Sequence, residues 1–368
     1  MSYKVRFVNY PKQYQQLKTE FDRVFEEIMS NGDFIMRRHL EEFEHNIAQY
    51  VGTRHAIGVN TGTDALYLSC QALFSPCDEV ITVAHTFVAT VGAIVQCGAK
   101  PILVDIRDDF NMDVNQIEKV ITPKTKGIIP VHLNGHACDM AQIMELAQKY
   151  NLRVIEDAAQ ALGAEFKGKR CASFGDTAIF SFYPAKMLGA PGDGGMICTN
   201  DDVLARKLRA FRDNGRVESV DVIECFGWCS RLDNLHAAIL NMKLKYFDKW
   251  IERRREIAIA YDKGLAGIEG LILHPRSDAC YFDVYQNYVI RTKQRHELVQ
   301  HLRNSGIEVL ISWRTPLHKQ KALGLSHFNL PVTEQISNEV ISLPMYPELT
   351  DDEVQIVIGA VCNFFKKG

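Results

Sequence analysis

The sequence predicts an α/β protein with a mostly parallel central sheet flanked by helices and a smaller C-terminal α/β domain. Two observations carry this reading. Short apolar runs alternate with helical patterns through the first two thirds of the chain, the spacing of βαβ units whose sheet is covered on both faces. From about Asp233 the composition changes to a charged helical stretch free of Gly and Pro until its end, which suits a connector leaving the sheet.

The elements follow in order. RHLEEFEHNIAQYVG sets Leu40, Phe43, Ile47 and Val51 at helical spacing, and Gly52 stops the helix. HAIGVN predicts a buried strand, and TGTDALYLSCQALF the helix after it. EVITVA, KPILVDI, KGIIPVHL, RVIEDA, TAIFSF and GMICTN predict further strands, with helices such as DMAQIMELAQKYN between several of them. NLHAAILNMKLKYFDKWIERRREIAIAYDKGL predicts one long connecting helix. A strand (YFDVYQNYVIRT), a helix (QRHELVQHLRNSG), a strand (IEVLISW) and a last helix (DDEVQIVIGAVCNFF) complete a small domain. The expected boundaries are 1–240 and 241–368.

Composition narrows the partners. A formal charge of -3 over 368 residues and a pI near 6.5 argue against nucleic acid or an anionic membrane. The N-terminus lacks the apolar run of a signal peptide, and no stretch approaches the roughly 18 apolar residues of a membrane span, so a cytoplasmic protein is expected. Ten cysteines are scattered without paired C-x-x-C spacing. No metal site is expected, and most of these thiols are expected to pack as small hydrophobes.

Chemistry concentrates around Phe180–Met196, FSFYPAKMLGAPGDGGM, where Lys186 is the only charged residue between Asp176 and Asp193. In open parallel sheets ligands bind beyond the carboxyl ends of strands. Those ends offer Asp157 after RVIE, Ser181 in TAIFSF, Thr61-Gly62-Thr63 after IGVN, and His85-Thr86-Phe87 after TVA. Pyridoxal 5'-phosphate (PLP) needs such a set. Its aldehyde needs a lysine amine for a Schiff base, and its pyridinium nitrogen needs an anion. Its phosphate needs a helix N-terminus with hydroxyls, and its ring a planar partner. Lys186, Asp157, Thr61-Gly62-Thr63 with Ser181, and Phe87 fill those roles, with Gln160 one helical turn past Asp157 and facing the ring oxygen. Each residue alone also has an ordinary explanation: a lysine stem covering apolar surface, or helix caps at Asp157 and Thr61. Neither G-x-G-x-x-G after a strand nor G-x-x-x-x-G-K-[ST] occurs.

EDAAQALGAEFKGK, SFGDTAIFSFYPAKMLGAPGDGG, NTGTDAL, AHTFVAT, PVHLNG, RLDNLHAAIL, TPLH and SLPMYP occur in an order that resembles the DegT/StrS-type sugar-nucleotide aminotransferases. The resemblance spans nearly the whole chain. It implies PLP fold type I, glutamate as amino donor, a keto-sugar nucleotide as acceptor and a homodimer with active sites at the interface. It implies that Lys186 binds PLP and shuttles a proton, that Asp157, Gln160, Phe87, Gly62, Thr63 and Ser181 hold the cofactor, and that Tyr183, Arg231, His318 and Asn134 lie toward the substrate. The sequence departs from the family pattern in three places. GWCSR puts Cys229, a poor hydrogen-bond donor, where many members reach the partner's PLP phosphate with asparagine. HLNG replaces H-L-Y-G, and FIMRR brings Arg37 and Arg38. Two other readings remain: a related sugar dehydratase, against which Lys186 argues because those relatives carry histidine there, and a non-catalytic PLP-binding regulator.

Overall fold

The computed structural model describes residues 3–217, 222–276 and 278–366. In chain order the helices are α1 (Tyr10–Gln16), α2 (Lys18–Asn31), α3 (Arg38–Val51), α4 (Gly62–Leu73), α5 (Val88–Gln96), α6 (Val114–Val120), α7 (Met140–Tyr150), α8 (Asp202–Arg212), α9 (Asn234–Leu244), α10 (Phe247–Gly264), α11 (Arg295–Asn304), α12 (Pro331–Glu339) and α13 (Asp351–Lys366). The strands are β1 (His55–Val59), β2 (Glu79–Val83), β3 (Lys100–Val104), β4 (Thr125–Ile128), β5 (Arg153–Asp157), β6 (Glu165–Phe166), β7 (Lys169–Arg170), β8 (Thr177–Ser181), β9 (Gly195–Thr199), β10 (Tyr281–Phe282), β11 (Tyr288–Arg291) and β12 (Val340–Leu343).

Seven strands form the main sheet in the order β1-β9-β8-β5-β4-β2-β3. The run from β8 through β5, β4 and β2 to β3 is parallel, and β9 is antiparallel to both β1 and β8. The reversal follows from the connection. Parallel neighbours need a crossover, usually a helix, whereas β8 returns to β9 through the Gly- and Pro-rich loop that carries Lys186. Because β9 reverses twice, β1 points the same way as β8, and the carboxyl ends of β1, β8, β5, β4 and β2 share one edge.

Strand alternation divides the core between the two faces. Ile57, Val80, Ile155, Ile179 and Ile197 pack with α4, α5 and α8. Ala56, Ile81, Val154, Ala178 and Met196 pack with α3, α7 and α9. Ile81, Ile155 and Ile179 are wholly buried, and each such side chain contributes roughly 1.5–3 kcal/mol.

The second core gathers Tyr261, Tyr288, Leu298, Ile341 and Val357, and Val5 from the N-terminal segment joins them. Phe247 and Ile251 at the start of α10 belong to the first core, and Ile257 and Tyr261 to the second. The handover between cores therefore lies inside α10.

Three local expectations are corrected. The long connecting helix is two, because the chain breaks at Lys245–Tyr246 between α9 and α10. IEVLISW forms no strand. Its Leu310 makes a single bridge to Ser342, and β12, which carried no strand expectation, pairs with β11. YFDVYQNYVIRT splits into β10, paired with β6, and β11, and of the segment between them Gln286 and Asn287 reach the cavity that holds Lys186. Of the ten cysteines, Cys70, Cys97, Cys138, Cys171 and Cys198 are buried and Cys225 and Cys362 pack partly buried against the apolar clusters, so most pack as small hydrophobes, as expected.

Candidate active site

Gly195 organises the cradle. It pairs with Val59 on one side and Ser181 on the other, between the ends of β1 and β8. A Cβ there would lie 2.2 Å from the Thr61 carbonyl oxygen, so only glycine lets the backbone close. Gly62 presses onto Ser181 in the same way, where an added Cβ would meet the serine Cβ at 2.7 Å. Thr61 caps α4, its Oγ1 accepting from the Asp64 N–H at 2.8 Å. The first N–H groups of a helix have no intrahelical partner. Those of α4 open beside Ser181, a position suited to a phosphate.

Asp157 ends β5 and is 5% exposed. Its Oδ2 accepts from the Thr90 Oγ1 at 2.8 Å, and its Oδ1 from the Ala159 N–H at 3.2 Å. Burial raises its pKa, against the lowering effects of these two donors and of Lys186. The preceding Glu156 points to the opposite face, fully buried, and accepts from the N–H groups of Ala172, Phe174 and Gly175 at 2.9, 2.7 and 2.9 Å. It pins the following loop while Asp157 faces the cavity.

Lys186 rises from a turn closed by its own N–H on the Tyr183 carbonyl at 2.8 Å. Burial lowers its pKa, and the Asp157 charge partly opposes that shift. A lysine with a lowered pKa supplies more free amine, the form that attacks an aldehyde.

Thr61, Gly62, Thr63, Phe87, Asp157, Gln160, Ser181, Tyr183 and Lys186 all line one cavity of about 580 Å³, within the roughly 300–1,000 Å³ of small-molecule sites. The donor set fits PLP: an amine, a buried carboxylate, a helix N-terminus beside a hydroxyl, and a half-exposed phenyl ring. Phe87 is 55% exposed, and its ring centroid lies 6.0 Å from that of Trp313.

Four expected residues lie elsewhere within the chain. His318, expected toward the substrate, is buried and its Nε2 lies 3.1 Å from Glu334 Oε1, because the helical turn after Pro316 packs it inward. Asn134 is also buried, and its N–H donates to Gln160 Oε1 at 2.8 Å, behind the cavity wall. Cys229 and Arg231 belong to a different surface. Arg231 Nη2 donates to the Cys229 Sγ at 3.2 Å, and its Nη1 lies 3.4 Å from Asp213 Oδ1. Sequence reasoning missed the lining residues Phe7, Val8, Thr90, Gln286, Asn287 and Trp313. Thr90 stands inside the motif AHTFVAT, but the others carry no local signal.

Comparison with known proteins gives this geometry its family. The sequence pattern of the DegT/DnrJ/EryC1/StrS aminotransferase family matches residues 15–362. The chain belongs to that family. Its aminotransferases are PLP-dependent, and this chain is one of them. The crystal structure of S. venezuelae DesV in complex with a ketimine intermediate superposes with a TM-score of 0.95 at 37% identity, covering 99% of each chain. The dTDP-3-amino-3,4,6-trideoxy-alpha-D-glucose transaminase of Micromonospora megalomicea is 40% identical over 96% of both chains. A pleiotropic regulatory protein of Geobacillus stearothermophilus is 42% identical over 98% of this aminotransferase and 99% of its own length. Fold type I is thereby established for this aminotransferase, with its mostly parallel sheet. Among its described residues, no helix is long and apolar enough to cross a membrane.

Proposed function

We propose that this enzyme transfers the amino group of glutamate to the keto carbon of a nucleotide-linked sugar, as a cytoplasmic homodimer serving amino-sugar formation for a polysaccharide or glycosylated metabolite. The observation that carries the reading is the convergence of Lys186, Asp157, the α4 N-terminus, Ser181 and Phe87 on one cavity. The dTDP-sugar transaminase relative supports the acceptor class.

Bound PLP supplies an electron sink next to the carbon that loses or gains a proton. The Lys186 amine binds the cofactor and afterwards carries that proton. An Asp157 oxygen holds the ring-nitrogen proton, while Thr90 and the Ala159 N–H keep the carboxylate aimed. The Gly62 and Thr63 N–H groups and the Ser181 hydroxyl hold the phosphate. Phe87 covers a ring face, and Gln160 donates to the ring oxygen. Tyr183, 54% exposed at the mouth, contacts the sugar. Arg231 and Cys229, which lie off this chain's cavity, serve the partner's site.

A regulatory reading draws on the name of the Geobacillus relative, but a binding-only protein could dispense with the lysine or its acidic partner, and both Lys186 and Asp157 line this cavity. Turnover separates the two. Purified enzyme with PLP, glutamate and a panel of keto-sugar nucleotides is expected to release 2-oxoglutarate and an amino sugar, and Lys186→Ala to abolish both. PLP uptake without turnover on any keto-sugar nucleotide would favour the regulatory reading.

A further inference from the structure

The segment between β10 and β11 breaks a predicted strand and enters the cavity wall at two adjacent residues, Gln286 and Asn287. Gln286 brackets the lysine. Its Oε1 accepts from the Met187 N–H at 2.8 Å, and its Nε2 donates to the Ala185 carbonyl at 2.8 Å. The two backbone groups on either side of Lys186 are thus fixed by one amide. Asn287 reaches the other side of the site. Its Nδ2 donates to Asn134 Oδ1 at 3.0 Å and lies 3.5 Å from Gln160 Oε1. With Gln160 Oε1 also accepting from the Asn134 N–H, the Gln160 Nε2 is the group left to donate into the cavity.

The pair is itself held firmly. The buried Arg254 Nη1 donates to the carbonyls of Tyr285, Gln286 and Met345 at 3.1, 3.3 and 2.9 Å. On the facing side Asn134 and Gly135 adopt φ of 59° and 89°. A Cβ on Gly135 would lie 2.8 Å from the Gln286 N, so the two backbones are in direct contact.

We propose that Gln286 and Asn287 are positioning residues of the transamination: Gln286 sets the Lys186 amine, and Asn287, with Asn134, sets the Gln160 amide. The proposal rests on the reading that Lys186 carries PLP. A hydrogen-bonded side chain on each side of a reacting group restricts where that group can point, and misplacement by an ångström lowers rate more than affinity for substrate.

The test uses full-length Gln286→Ala, Gln286→Glu and Asn287→Ala enzymes, stripped of cofactor and then titrated with PLP. For Gln286→Ala the PLP Kd is expected to rise roughly tenfold, and kcat to fall at least as much while KM for the amino donor changes less than about twofold. Gln286→Glu keeps the acceptor for the Met187 N–H and is expected to recover part of both losses. Asn287→Ala is expected to bind PLP within about threefold of wild type, but to move the pH at which the visible band of the bound cofactor titrates. A folded Gln286→Ala with wild-type Kd, kcat and titration would overturn the proposal, as would a loss of thermal stability with those three unchanged. If the alanine variant does not fold, Gln286→Met, which fills the side chain's volume without either hydrogen bond, is measured by the same three readouts, and wild-type values in all of them overturn the proposal equally. Failure of the underlying reading looks different, because wild-type protein would then take up no PLP at Lys186.

Discussion

Asp157 and Lys186 line one cavity, and in each of them burial outweighs the attraction of the other's charge. Burial raises the carboxyl pKa and lowers the amine pKa, so both groups are pushed toward neutrality until a ligand arrives. Bound as proposed, PLP would offer Asp157 its ring-nitrogen proton as a partner and would take up the Lys186 amine.

This relationship fixes a sign. The Asp157 charge is what holds the Lys186 pKa up against burial. In cofactor-free Asp157→Asn the amine is therefore expected to titrate at a lower pH than in cofactor-free wild type. The pH dependence of Lys186 reductive methylation, followed by mass spectrometry, measures it; an upward shift would contradict the assigned causes.

The same variant separates binding from chemistry. Asparagine keeps one oxygen, for the Ala159 N–H, and its Nδ2 can donate to the Thr90 hydroxyl in place of the bond that hydroxyl now gives, but it cannot hold the ring-nitrogen proton. Asp157→Asn is expected to retain PLP while kcat falls on the order of 10²–10³-fold, read by steady-state assays at saturating cofactor.

Gly195→Ala tests the cradle. The new Cβ would sit 2.2 Å from the Thr61 carbonyl oxygen, backbone that cannot step aside cheaply. Thermal unfolding is expected to register a loss of roughly 1–3 kcal/mol, with PLP retention on dialysis falling as α4 is pushed from Ser181.

Lys243 gives a pH dependence away from the chemistry. It is buried on α9, donates to the Gly189 carbonyl in the lysine loop, and burial brings its pKa down to about 8, with Glu348 opposing. The unfolded chain holds this proton up to about 10.4, so between pH 8 and that value it binds more protons than the native state. Stability is expected to rise with pH there, by roughly 1–3 kcal/mol from this residue. Denaturant unfolding should show the extra slope in wild type and lose it in Lys243→Met.

The sequence carried the frame and the centre of this site unevenly. β2 is buried at every position and β5 at all but the first, so both read as apolar runs whatever the tertiary context. Lys186 stood out because its neighbours were uncharged. β12 went unread because Val340–Leu343 offers only four strand residues before Pro344, and its partner β11 is supplied from elsewhere in the chain. Gln286 and Asn287 were hidden inside an apparent strand, since their role exists only once Gly135 lets that backbone approach. His318 stayed open between a substrate contact and a packed, hydrogen-bonded histidine, because a histidine after Thr-Pro-Leu reads alike whether it faces a ligand or Glu334.

The most direct measurement is borohydride reduction of the PLP-loaded enzyme followed by peptide mapping. The expected result is a single pyridoxyl mass on the peptide containing Lys186, absent in Lys186→Ala. A label on Lys243 or any other lysine, or none in enzyme that has bound PLP, would contradict the account.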